Sequence, residues 1–325
     1  QMHVIMSGTG TLWDKLSEED KKKLPLHDGE LPLTMHGTGC YTSQAFLKYI
    51  NRKNELLADA AERASVAADW LQGISYPREK LNEAWVRFLW HQFHDDLTGT
   101  SIPEVYPYSW NDEFISYQQF GSVYSNSAAT VIQALDTRTE GVPVVVNNAL
   151  SIARNEPVEA SVTFTDETEA VRVFNKSGKE VPSQLRKKEG LNYRVVFLAS
   201  VPANGYEVYY VEAAKKACAL KNNLKITENS LENEKYRVVV DSNGDISSIY
   251  DKSEKKELLR EPVRLEMLNN ETPKKPAWRI YYNSITAKPR SYVGNVQSIK
   301  IEEEGPVRVS LKITRKTEAS VFVQY

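Results

Sequence analysis

Residues 90 to 100 read WHQFHDDLTGT, and they hold two of the chain's five histidines beside two adjacent aspartates. Neutral imidazole and carboxylate together suit zinc and similar divalent metals. If a helix continues to Asp95, then His91 and His94 lie one turn apart and Asp95 stands four residues beyond His91. All three then share one surface. A metal site needs about three protein ligands, however, and the pattern is not the H-E-x-x-H of a metalloprotease. The other histidines, His3, His27 and His36, all precede Thr38. A polar helix end with a core histidine explains the same stretch, and spacing alone leaves both readings open. Asp95 and Asp96 are adjacent, so on a helix they point in different directions and do not form the facing carboxylate pair of a glycosidase. A serine nucleophile is unsupported, because no G-x-S-x-G elbow occurs. The SGTG near the start lacks the lysine of a phosphate-binding loop.

The elements that must position this stretch fall into three regions. Residues 1–38 read as a strand (HVIMSG), a turn and one polar helix (LWDKLSEEDKKKL) closed by Pro25. One strand and one helix cannot build a core, so this region is expected to be the remnant of an α/β domain. Residues 39–140 carry helical periodicity. The first helix is expected over 42–72, with Thr42 or Ser43 as its cap, Phe46, Leu47, Ile50, Leu57, Ala61 and Ala64 inward, and Gly73 as its stop. The second, over 77–95, has Pro77 in its first turn and Leu81, Trp85, Phe88 and Leu89 as its stripe. The third, over 111–138, has Phe114, Tyr117, Phe120, Tyr124, Ala128, Val131 and Leu135 on its seam. Together they make a three-helix bundle.

From 141 to 325 the period switches to two. Val158, Ala160, Val162 and Phe164 are expected to face inward, as are Tyr206, Val208 and Tyr210, and again Val307, Val309, Leu311 and Ile313. Asn243-Gly244 marks a hairpin. Such strands, separated by turns, indicate an antiparallel β-sandwich. The last residues, VFVQY, read as mid-strand, so the sandwich is expected to be incomplete at its end. The fold class is therefore multidomain α+β.

The bulk numbers exclude several functions. The chain has 325 residues and a net charge of −2, a balance unlike that of a dedicated nucleic-acid binder. Only Cys40 and Cys218 are present, too few for a disulfide framework and in no C-x-x-C arrangement. No apolar run approaches the ~20 residues of a membrane span. The first residues lack the basic and apolar regions of a signal peptide, and they do not begin with Met. Neither compartment nor oligomeric state is readable.

The stretch QFHDDLTGTS, residues 92 to 101, resembles the His-His-Asp or Phe-His-Asp signature of the α-mannosidases of glycoside hydrolase family 38. GELPLTMHGTGCYTSQAFLKYINRKNELL, residues 29 to 57, is similar to that family's entry into its helical bundle. VVVNNALSIARNEPVEASV resembles the first strands of its sandwich. LENEKYRVVVDSNGDISSIYDKSEKKELL, PAWRIYY and EEEGPVRVSLKI follow in the family's order. The resemblance implies a retaining, exo-acting hydrolase of terminal α-mannosyl residues in glycans. It also implies one divalent metal, usually zinc, held by an early His-x-Asp pair, the nucleophilic aspartate and a late histidine. His94 matches that late metal ligand, and Asp95 the aspartate that contacts substrate hydroxyls. His91 has no counterpart and is relegated to packing or to support of its neighbours. The remaining metal ligands and both catalytic carboxylates belong to an α/β domain expected ahead of residue 1. No catalytic residue is therefore assigned here, and the chain alone is expected to be inactive and without bound metal. The rival reading is a non-catalytic carbohydrate-binding or interaction module.

Overall fold

The computed structural model describes residues 6–8, 10–33, 37–220, 222–271 and 274–325. The expected opening strand lies mostly outside these residues, and its described part, Met6 to Gly8, is not a strand. The expected single polar helix is two short ones, α1 (Gly10–Lys15) and α2 (Glu18–Lys23). The break falls at Ser17, whose hydroxyl accepts the Asp20 N–H and so caps α2. Leu24, which precedes Pro25, is extended (ψ 138°) and ends α2, as the residue before a proline must avoid the helical region.

Three long helices follow: α3 (Ala45–Gln72), α4 (Arg78–Trp90) and α5 (Tyr106–Gln133). α3 stops at Gly73, which sits at φ +64° and donates its N–H to Asp69 O. Neither Thr42 nor Ser43 caps α3. Gln44 occupies the cap in a left-handed conformation (φ +53°), and the Ser43 hydroxyl donates instead to Ala277 O at 2.6 Å. Helix α4 ends at Trp90, not at Asp95.

The buried faces of the bundle include Leu47, Ile50, Ala61, Ala64, Leu81, Phe88, Phe120 and Val131 as expected, and depart from expectation elsewhere. α3 presents Leu47, Ile50, Ala58, Ala61, Ala64 and Ala68, and its four alanines let α5 approach closely. α5 buries Tyr106, Ser109, Glu113, Ser116, Phe120, Val123, Ser127 and Val131. Half of that seam is polar, and Glu113 and Ser127 find partners on α3. Asn51 Nδ2 donates to Glu113 Oε1 at 3.0 Å, Asn54 Nδ2 to Glu113 Oε2 at 2.5 Å, and Ser65 Oγ meets Ser127 Oγ at 3.1 Å. The large aromatics turn outward: Phe46, Phe114 and Tyr117 are exposed, as is Leu89. Phe46 contacts Trp110 and Phe114 on that outer face. The middle of the bundle is closed by Leu81, Ala84, Phe88, Phe120 and Val123, with Trp85 packed edge-on to Phe120.

Seven strands follow: β1 (Val142–Asn148), β2 (Arg154–Thr163), β3 (Ala170–Asn175), β4 (Glu180–Val181), β5 (Ser183–Glu189), β6 (Asn192–Val201) and β7 (Gly205–Ala214). They form two sheets, ordered β1-β7-β3-β4 and β2-β6-β5. Both strand prolines, Pro143 on β1 and Pro157 on β2, fall on edge strands, where a missing N–H is tolerated. Between the sheets lie Val162, Val171, Val173, Tyr193, Val195, Phe197, Tyr209 and Val211, with Val158, Ala160 and Phe164 packed against them. β7 departs from expectation: Tyr209 and Val211 face this core, not Tyr206, Val208 and Tyr210. Its opposite face is also covered, Val208 being buried. On the paired strand Asn147, opposite Tyr206, accepts from Tyr124 of α5 at 3.3 Å.

Three further sheets follow. β8 (Lys225–Thr227), β9 (Ser230–Glu232), β10 (Tyr236–Val240), β11 (Ile246–Asp251) and β12 (Lys256–Glu257) form one sheet in sequence order. β13 (Glu266–Met267) and β14 (Ser291–Tyr292) pair separately, and β15 (Val296–Glu303), β16 (Ser310–Lys316) and β17 (Val321–Gln324) form the last sheet. Val240, Leu311 and Ile313 make the core between them. The β10–β11 hairpin has the expected Asn243-Gly244 in its loop, with Gly244 at φ +76°. Arg315 continues the inward row of β16 and is buried beneath that loop, donating to the Asn243 and Gly244 carbonyls.

Candidate functional site

The stretch after Trp90 leaves the α-helix through consecutive tight turns. Gln92 N–H reaches Leu89 O, Phe93 N–H reaches Trp90 O, and both Asp96 and Leu97 N–H reach Phe93 O. Gly99 N–H then returns to Asp96 O, and Thr100 and Ser101 N–H both reach Asp95 O. His91, His94 and Asp95 therefore do not share one helical surface. His91 is 4 % exposed, whereas the His94 side chain is 77 % exposed.

The outward side of the turn carries the two residues singled out by the resemblance. His94 Nε2 stands 3.2 Å from Asp95 Oδ2, and the His94 ring packs on Phe93 with centroids 4.3 Å apart. Asp95 Oδ1 accepts from Thr100 Oγ1 at 2.7 Å, which leaves Oδ2 toward His94. Thr98 Oγ1 donates to the His94 carbonyl and meets Thr100 Oγ1 at 2.8 Å. The Thr-Gly-Thr sequence thus folds back onto both residues.

The inward side is a chain of buried polar contacts that sequence spacing did not reveal. His91 Nδ1 meets Asp96 Oδ2 at 2.5 Å, and Nε2 meets Asp112 Oδ2 at 3.3 Å. Asp96 Oδ1 accepts from Ser109 Oγ at 2.8 Å, and Asp112 Oδ1 from Arg87 Nη1 at 3.1 Å. Tyr106 accepts the Ser101 N–H at 2.8 Å, and burial pushes its phenol above the ordinary range. Lys48 donates to Leu97 O at 2.8 Å and to Ser43 O at 2.5 Å, and burial lowers its ammonium pKa. Next to this network, burial raises Glu113 against the hydrogen bonds from Asn51 and Asn54.

Two glycines permit the closest approaches. Gly99 sits at φ +80°, and a Cβ there would meet Ser43 Cβ and O at 2.7 Å. Gly39, in the one-turn helix Thr38–Tyr41, donates its N–H to Trp278 O at 3.0 Å. A Cβ on it would meet Ala277 O at 2.8 Å. The segment 277–279 thus rests on residues 39–43, which in turn rest on the turn bearing His94.

His94 and Asp95 are suitable donor types for a divalent metal, but they are two donors. Among the described residues no group of three or more His, Cys, Asp or Glu side chains could hold a metal ion. The described residues alone do not fit the zinc site that the resemblance implies. No helix among them is long and apolar enough to cross a membrane.

Two family models match the chain: the α-mannosidase middle domain over residues 35–131, and the C-terminal domain of glycosyl hydrolases family 38 over residues 231–325. Alpha-mannosidase G of Dictyostelium discoideum is 25 % identical over 92 % of this chain, which spans 29 % of that protein. Alpha-mannosidase 2C1 of Mus musculus is 32 % identical over 47 % of the chain and 14 % of its own length. The crystal structure of a protein in glycosyl hydrolase family 38 from Enterococcus faecalis superposes with a TM-score of 0.66 at 20 % identity. It covers 92 % of this chain and 39 % of that one. The two matches fall in order on the bundle and on the last sheets, in a fold shared with a solved family 38 structure: the chain is similar to the middle and C-terminal domains of family 38 α-mannosidases.

Proposed function

We propose that this chain is part of a retaining α-mannosidase that removes terminal α-mannosyl residues from glycans. In this reading residues 39–140 and 141–325 are its bundle and sandwich units, and residues 1–38 belong to its α/β domain. Asp95 accepts hydrogen bonds from sugar hydroxyls, and His94 contributes one ligand to a divalent metal whose other donors lie outside the described residues. The observation that carries the reading is the outward His94–Asp95 pair, held at 3.2 Å on a turn braced from behind. An exposed imidazole–carboxylate pair on a fixed backbone is preorganised to receive a polar ligand, because its orientation is set before binding. The nucleophile and the acid/base are assigned to no residue of this chain. The alternative of a non-catalytic sugar-binding module has no observation in its favour over this one.

The test is a pair of variants in the full-length protein, His94→Ala and Asp95→Asn, assayed for bound metal and for hydrolysis of an aryl α-mannoside. His94→Ala is expected to strip metal. Asp95→Asn is expected to retain metal and lose about 2–3 kcal/mol of transition-state binding, the scale of a hydrogen bond to a charged group. Wild-type metal content and turnover in both would overturn the reading.

A further inference from the structure

We propose that His91 is the positioning residue of the His94–Asp95 turn: its buried imidazole hooks Asp96 inward and thereby fixes the peptide that presents the outward pair, while Asp112 steadies the same ring. The inference rests on the functional reading above only for the importance of that pair. The clamp itself is drawn from the packing.

Asp95 and Asp96 are adjacent yet serve opposite faces. Asp96 is 6 % exposed, and its two carboxylate oxygens are each engaged, one by Ser109 and one by His91. Its backbone holds the turn at both ends, through N–H to Phe93 O at 2.9 Å and through its carbonyl to Gly99 N–H at 2.8 Å. An inward hook on Asp96 therefore sets the direction in which Asp95 points. His91 supplies that hook from the end of α4, and Asp112 on α5 holds the other side of the same ring at 3.3 Å. Each ring nitrogen thus faces a carboxylate oxygen, and the imidazole is the partner the two aspartates share. A histidine that merely filled the core would not need a carboxylate on each nitrogen, nor one that is itself the pivot of a tight turn.

The two ring nitrogens separate the clamp from general packing. An asparagine side chain places its amide near the Nδ1 position and keeps a donor for Asp96. A glutamine places its amide near Nε2 and keeps one for Asp112 only. His91→Gln is expected to speed amide hydrogen exchange of residues 94–101 about ten- to hundredfold, while buried amides of α3 and α5 exchange at wild-type rates. His91→Asn is expected to stay near wild type. Ser109→Ala removes the other partner of Asp96 by a small change and should loosen the same residues to a lesser degree. In the full-length protein, His91→Gln should lower kcat/KM for an aryl α-mannoside about tenfold or more, and His91→Asn should restore most of it.

Unchanged exchange at 94–101 in His91→Gln would overturn the proposal, as would faster exchange throughout the bundle or identical behaviour of the Asn and Gln variants. If the exchange pattern appears but His94→Ala and Asp95→Asn leave hydrolysis intact, the clamp stands and the functional reading falls.

Discussion

Gly99 and Gly73 provide a matched pair for measuring what the close approach at the turn is worth. Both occupy the left-handed region, at φ +80° and +64°. Around Gly73 an added Cβ meets nothing within 4 Å, whereas at Gly99 it meets Ser43 Cβ, O and C at 2.7, 2.7 and 2.8 Å. In Gly73→Ala the left-handed backbone costs about 1–2 kcal/mol, offset by about 0.4–1 kcal/mol from the stiffer unfolded chain. The net loss is about 1 kcal/mol. Gly99→Ala carries the same terms plus a clash with atoms that no side-chain rotation can move. Overpacking of that kind costs about 1–3 kcal/mol more.

The assay is urea unfolding of the two variants and the parent, followed by tryptophan fluorescence, since Trp70, Trp85, Trp90 and Trp110 all lie in the bundle. With a slope of about 1–3 kcal/mol per molar urea, the midpoint of Gly99→Ala should fall roughly 1 M below that of Gly73→Ala. If the turn moves away to relieve the clash, the Lys48 bond to Leu97 O is lost first, and exchange at residues 97–101 reports it. Equal losses in the two variants, with unchanged exchange there, would refute the claim that the turn is seated on Ser43.

Three further outcomes are expected. Glu113 is held above its ordinary range chiefly by burial, so the native state binds its proton more tightly than the unfolded chain does. Its stabilising contribution is complete below the unfolded pKa and is lost as pH rises through the folded one. Glu113→Gln should therefore gain stability relative to the parent as pH rises from about 4 to 8, and parallel urea midpoints across that range would contradict the direction. Gly39→Ala should push Ala277 and Trp278 off the bundle, so that limited proteolysis cuts near residues 274–282 faster while bundle unfolding changes little; an unaltered cleavage rate would argue against that docking. The isolated chain should not hydrolyse an aryl α-mannoside, and metal-dependent turnover by it, free of host enzyme, would show that the catalytic groups had been misplaced.

Much of the fold was legible because it depends on periodicity and punctuation. Gly73 stops α3, Pro25 ends the polar segment, and the Asn243-Gly244 hairpin closes where its residues require. What failed was the choice of face in part of α5 and in β7. In α5 the inward row includes Ser109, Glu113, Ser116 and Ser127, with Glu113 paired to Asn51 and Asn54, Ser127 to Ser65 and Ser109 to Asp96, while Phe114 and Tyr117 point out. A reading that follows apolar side chains shifts such a helix by about one position, since polar residues can be buried at small cost once their partners are present. β7 failed for a related reason: a strand covered on both faces shows no clean alternation, and Tyr209 and Val211 could not be separated from Tyr206, Val208 and Tyr210.

The site divided along the same line. Residues 94 and 95 were singled out by a local signature, but the contacts around them come from elsewhere in the chain. Asp112 lies on the next helix, Lys48 on the previous one with Ser43 just ahead of it, and Ala277 and Trp278 beyond the first sandwich. The chain leaves the helix at His91, and the turns that follow separate buried Asp96 from half-buried Asp95. The adjacency that argues against a facing carboxylate pair is thus what allows one aspartate to anchor the turn and its neighbour to point away from the core.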